Sequence, residues 1–99
     1  MAGTAILVFR QRYIYADGSV REMVLWRLPR RTAARPYRFK YRLYYGTANG
    51  QCLVRYDNET GKGDHRHIEG REESYRFNNV TALVRNFMAD IGRLRDADR

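Results

Sequence analysis

Between residues 37 and 45 the chain alternates strictly, with Tyr37, Phe39, Tyr41, Leu43 and Tyr45 on one side and Arg38, Lys40, Arg42 and Tyr44 on the other. A period of two belongs to a β-strand, so this stretch predicts a strand with one face on a core and one positive face that ends in an aromatic. Upstream, Ala5–Tyr15 is rich in β-branched and aromatic residues and stops at Ala16-Asp17-Gly18-Ser19, where Asp-Gly supplies a positive-φ position. Val20–Leu28 resumes the pattern, so residues 5–28 predict a β-hairpin. Pro29 to Pro36 is a basic loop, because neither proline fits inside a central strand. Gly46-Thr47-Ala48-Asn49-Gly50 reads as a second hairpin turn leading into a strand over Gln51–Asn58, and Tyr75–Phe77 is a candidate for a short fifth strand.

Near the end the period changes. Val80, Leu83, Val84, Phe87, Met88, Ile91 and Leu94 fall on one stripe of an α-helix. Asn78 or Asn79 can cap its start, Arg93 and Arg95 suit the negative end of its dipole, and residues 96–99 are expected to fray. A small sheet needs a lid over one face, which assigns the stripe to the core in preference to a partner surface. The expected fold is α+β: an antiparallel sheet of four to five strands with an amphipathic C-terminal helix packed on one face. Residues 1–99 then make one domain, with the sheet over 5–58, a glycine-rich basic loop over 59–74 and the helix over 79–95.

Composition narrows the setting. Cys52 is the one cysteine, so no intramolecular disulfide forms, and its apolar neighbours predict a buried free thiol in a reducing cytoplasm. The apolar run Ala5–Phe9 is too short for a signal peptide, and no window reaches the ~20 apolar residues of a membrane span. Charge is uneven: residues 1–56 hold eleven basic and two acidic groups, a net of +9, whereas residues 57–99 net −1. Of the 19 basic residues only Lys40 and Lys62 are lysine. Arginine's planar fork suits phosphate contact and stacking on bases, which makes nucleic acid the leading partner and Arg30, Arg31, Arg38, Lys40 and Arg42 its candidate contacts.

The chemistry concentrates in residues 57–73. Both histidines, His65 and His67, lie there among Lys62, Asp64 and Arg66, with glycines at 61, 63 and 70. Histidine exchanges protons near neutral pH, and this segment is too polar for core. Glycines flanking Lys62 let the backbone approach a phosphate, although the spacing of a nucleotide-binding P-loop is absent. If 64–68 is extended, His65 and His67 share one face, and Asp64, Arg66 and Ile68 share the other. Three readings stay open. The histidines can serve as general acid and base on RNA, which brings its own 2′-hydroxyl nucleophile and needs neither metal nor cofactor, with Lys62 or Arg66 on the developing charge and Asp57 or Asp64 orienting an imidazole. They can bind a metal together with Asp57 or Asp64. They can also be structural in a non-enzymatic nucleic-acid-binding module.

The run Tyr56-Asp57-Asn58-Glu59-x-Gly61-Lys62-Gly63-Asp64-His65-Arg66-His67, then Gly70-x-Glu72 and Tyr75-x-Phe77, resembles the signature of TumE-type toxins of bacterial type II toxin–antitoxin modules. Arg38-Phe39-Lys40-Tyr41-Arg42 is similar to their central strand, and the likeness spans residues 10–95. Ser74 departs from it, standing where a proline is expected before the tyrosine. The resemblance implies a small α+β toxin neutralised by a co-expressed helix-turn-helix antitoxin. The sheet-plus-helix pattern is also similar to RelE-like ribonucleases, although those place helices early. By that analogy of fold the target is RNA, free or ribosome-associated.

Overall fold

In the computed structural model, residues 3–33, 35–59 and 61–97 are described. They form β1 (Ile6–Ile14), β2 (Val20–Arg27), β3 (Phe39–Gly46), β4 (Cys52–Asp57), β5 (His65–Ile68), β6 (Arg71–Ser74) and α1 (Val80–Ala97). The strands make one antiparallel meander in the order β1-β2-β3-β4-β5-β6. The fold is therefore α+β as expected, with six strands instead of four or five.

The additional strands come from the segment expected to be a loop. Ile68 and Arg71 pair across a two-residue turn in which Glu69 (φ 49°) and Gly70 (φ 84°) both take positive φ. Such a turn matches the twist of the flanking strands. Glutamate is an unusual first residue for it, so the sequence lacks the Asn-Gly or Asp-Gly signal that marks the β1–β2 turn, where Gly18 sits at φ 85°. Tyr75–Phe77 is correspondingly not a strand. It links β6 to α1, with the Tyr75 N–H donating to the Asp64 carbonyl at 3.1 Å. Phe77 is buried against Tyr37, Phe39 and Tyr41.

The strand expected from Tyr37 begins at Phe39 instead. Arg38 has a left-handed backbone (φ 67°), and its guanidinium donates to the Leu28 and Pro29 carbonyls, each at 3.2 Å. It is a brace of the Pro29–Pro36 loop and not a member of the strand's solvent face. Cys52 is likewise half-buried, where a buried thiol was expected, and its partial burial raises the thiol above its ordinary value.

Leu25, Leu43, Val54 and Tyr56 of the sheet share one core with Leu83, Phe87 and Ile91 of α1. The Tyr56 and Phe87 rings meet edge to face at 5.8 Å. Asn79 caps the helix by accepting the Ala82 N–H at 2.8 Å, and the helix continues through Asp96 and Ala97, which were expected to fray; residues 98–99 lie outside the described residues. One charge is buried in this layer. Asp90 takes the Tyr56 hydroxyl and pairs with Arg66 and Arg93, the partners that a buried carboxylate requires. Among the described residues no helix is long and apolar enough to cross a membrane.

Two outcomes follow from the packing. Phe87→Ala opens a cavity at the sheet–helix seam and should cost about 3–5 kcal/mol in denaturant unfolding. Burial, with the Asp64 carboxylate 2.6 Å from its hydroxyl, holds the Tyr41 phenol far above its ordinary value, and burial raises Tyr56 as well. The unfolded chain releases these protons near pH 10 while the folded chain keeps them, so stability present below about pH 10 is lost as pH rises further. Melting temperature should decline above that pH, and Tyr41→Phe should flatten the decline; an unchanged slope in that variant would contradict the assignment.

Candidate active site

β4 and β5 pair Asp57 with His65 and Arg55 with His67, and β5 and β6 pair His67 with Glu72. Directly opposed residues share a face of a sheet. Arg55, Asp57, His65, His67 and Glu72 therefore gather on the face away from α1. Asn58 fixes the end of β4 by extending the ladder with its side chain, accepting the Tyr41 N–H at 3.0 Å and donating to the Phe39 carbonyl at 2.7 Å.

Asp57 and His65 are buried, at 4% and 5% exposure, in a layer otherwise open to solvent. His65 Nδ1–H donates to the Gly63 carbonyl at 3.1 Å, and its Nε2 lies 2.6 Å from Asp57 Oδ1 and 3.6 Å from Glu72 Oε1. Every one of these partners is an acceptor. The pattern is complete when both ring nitrogens carry protons, so His65 is arranged as a proton donor. His67 is arranged the opposite way. Its Nε2 is 2.9 Å from Arg55 Nη2 and 3.6 Å from Glu72 Oε1; the guanidinium can only donate and makes the shorter contact, so this nitrogen presents its lone pair. The two rings stand 5.6 Å apart, and Arg55 Nε reaches back to within 3.3 Å of Asp57 Oδ2. One imidazole with a proton to give and one with a lone pair to take it lie side by side.

The family model described as Toxin TumE matches residues 3–95. The chain belongs to the TumE toxin family. It is a toxin, and a toxin of a toxin–antitoxin system has an antitoxin as its counterpart. No curated protein and no solved structure matches the chain.

Of the residues singled out from the sequence, the toxin brings Asp57, His65 and His67 together and separates two others from them. Arg66 points to the helix side, donating to Glu73 at 2.6 Å and to the Tyr56 hydroxyl at 3.0 Å, with Asp90 at 3.4 Å. Asp64 accepts the Tyr41 hydroxyl, so Asp57 and not Asp64 is the carboxylate against an imidazole. Lys62 is exposed in the turn before β5, between Gly61 (φ 88°) and Gly63 (φ 70°).

Lys40 and Arg42 are exposed on the histidine face, and Arg30 and Arg31 are exposed in the loop after β2. Lys40, Arg42 and Asp57 line a cavity of about 190 Å³, and a neighbouring one of about 180 Å³ runs from Arg42 to Val24 and Trp26. The Arg42 guanidinium lies 5.2 Å from the Tyr44 ring centroid, and that ring folds over Gly46, which has no Cβ to obstruct it. A basic, aromatic track thus leads to the buried Asp57.

Sequence reasoning missed Arg55, Glu72 and Trp26. The signals were present: Arg55 is two residues from Asp57 on one strand, and Glu72 is two past the Glu69-Gly70 turn, opposite His67. The opposite arrangements of the two rings are directly measurable. In ¹⁵N spectra of histidine-labelled toxin, the neutral His67 ring should show a protonated Nδ1 with a bare Nε2, and Arg55→Leu should perturb His67 more than His65. A protonated Nε2 on His67 would contradict the geometry.

Proposed function

We propose that this toxin cleaves RNA by metal-independent acid–base catalysis. The observation that carries the reading is the complementary pair of imidazoles, His67 offering a lone pair and His65 a proton. As Arg55 turns from His67 Nε2 to the phosphate, His67 takes the proton of an RNA 2′-hydroxyl, and the oxygen attacks the adjacent phosphorus. The bond from phosphorus to the 5′-oxygen breaks as His65 returns a proton to that oxygen. The products are a 2′,3′-cyclic phosphate and a free 5′-hydroxyl. Asp57 orients His65, while Arg55, helped by Lys62 at the loop, offsets charge on the phosphorane. Arg66 and Asp64, given catalytic roles from the sequence, hold β5 to the helix layer and the loop in this reading. Lys40, Arg42 and the Arg30–Arg31 loop guide the strand, and Trp26 offers a stacking surface.

The reading extends to the system. A type II module supplies a protein antitoxin, here of helix-turn-helix type, whose acidic segment is drawn to the arginine-rich half of the toxin. RNA, free or on the ribosome, is the target. A non-enzymatic RNA-binding role draws on one observation, the burial of Asp57 against His65, and the same experiment separates the two.

Purified toxin incubated with RNA in EDTA should generate cyclic-phosphate 3′ ends. His67→Ala should slow this on the order of 10²-fold or more while RNA affinity is kept. Cleavage abolished by EDTA, or equal cleavage by the variant, would contradict the mechanism, and binding without cutting by the parent would favour the binding module. RNA affinity should fall with salt by a log–log slope of about −0.7 per phosphate contact, and Arg42→Glu should lower that slope by about that amount or more. In lysates expressing the native operon, the neighbouring product should co-elute with the toxin and suppress its growth arrest; failure of both would remove the type II assignment.

A further inference from the structure

The open face of β5 and β6 also holds a donor set for a divalent transition metal. Glu72 Oε1 lies 3.6 Å from His65 Nε2 and 3.6 Å from His67 Nε2, and the three ligand atoms all fall within 4.8 Å of one another. Tetrahedral zinc with bonds of 2.0–2.2 Å places its ligands about 3.4 Å apart, so the two sides of this triangle that meet at Glu72 already stand near that spacing, and the side between the imidazoles closes from within 4.8 Å. Asp57 Oδ1, 2.6 Å from His65 Nε2, stands beside the triangle as a fourth donor and second oxygen. The supporting contact is present too. His65 Nδ1–H is held by the Gly63 carbonyl, the arrangement that fixes tautomer and ring orientation in metal-ligating histidines.

A cation already occupies this cluster. Arg55 Nη2 bonds His67 Nε2 at 2.9 Å, and Arg55 Nε lies 3.3 Å from Asp57 Oδ2. Arg55 sits on β4, directly opposite His67, and its side chain is only partly buried, so it has room to swing outward. With the guanidinium in place, His67 has no free lone pair for a metal; with it displaced, both imidazoles and Glu72 can close on one ion, which replaces the proton on His65 Nε2, while Asp57 and Glu72 supply charge that a divalent ion neutralises.

We infer that His65, His67 and Glu72, with Asp57 beside them, form a zinc-class binding site for which Arg55 and the metal compete. A bound ion takes the Nε2 of both imidazoles, the nitrogens needed for proton transfer in the cleavage reading. Metal therefore inhibits that chemistry and does not assist it. The site itself rests on donor geometry alone and stands or falls apart from RNA cleavage.

Titration of untagged, chelator-stripped toxin with Zn²⁺ alone, followed by calorimetry and by competition with a chromogenic chelator, tests this. One ion should bind per chain. His67→Ala and Glu72→Gln, both at partly exposed positions, should each weaken binding on the order of tenfold or more, with melting curves confirming that the variants are folded. Arg55→Leu should tighten binding on the order of tenfold, a gain that misfolding cannot produce. Absence of stoichiometric binding, or an affinity unchanged by His67→Ala and Glu72→Gln, would overturn the site. An affinity unchanged by Arg55→Leu would overturn the competition. Stoichiometric binding by a protein that cuts no RNA would leave the site standing and remove the cleavage reading instead.

Discussion

A one-residue slip of β5 against β4 would turn every side chain of β5 to the opposite face, because the strand repeat is two residues. His65 and His67 would then enter the helix layer, and Arg66 would leave Asp90 buried with one partner fewer. The native register avoids both penalties at once. On the helix side it joins Arg66 to Tyr56, Glu73 and Asp90; on the open side it sets Asp57 against His65 and Arg55 against His67. Each face constrains the other. The buried Asp90 carboxylate, with no water to solvate it, penalises any arrangement that removes its cations, and so helps hold the histidines in place across the sheet.

The same division explains why a small basic protein can keep Asp57 and His65 near 5% exposure on a sheet face that lacks a helix lid. Neighbouring side chains shield Asp57 and His65, and each supplies the charge or acceptor that the other needs. Arg55 closes the arrangement by bridging from Asp57 to His67. Removing any one of the three leaves a poorly solvated polar group, so the cluster should respond to mutation as a unit and not as separate residues.

Much of this was legible in the chain. The alternation over residues 39–45, the Asp17-Gly18 turn and the apolar stripe of 80–94 each carry a strong local period or turn signal, and the strands and helix formed where those signals lie. The two histidines and Asp57 stood out through chemistry alone. What was not legible depends on pairing between strands. The β5–β6 hairpin turns on Glu69 at positive φ, for which glutamate carries no signal, and without that hairpin Glu72 has no defined neighbour. Arg66 looked like a phosphate ligand because it is flanked by histidines, yet adjacent residues on a strand face opposite ways. Arg38 seemed to continue the strand pattern until the Leu28 and Pro29 carbonyls captured its side chain.

The central claim is that β4 and β5 deliver one proton donor and one proton acceptor to the same reacting group. The pH dependence of kcat/KM for a short RNA substrate, measured in EDTA, tests it most directly. Two groups required in opposite protonation states give a bell-shaped profile, and His67→Ala should erase its acidic limb while the alkaline limb remains. A rate that climbs steadily with pH, or a bell that persists unchanged in the variant, would contradict the account.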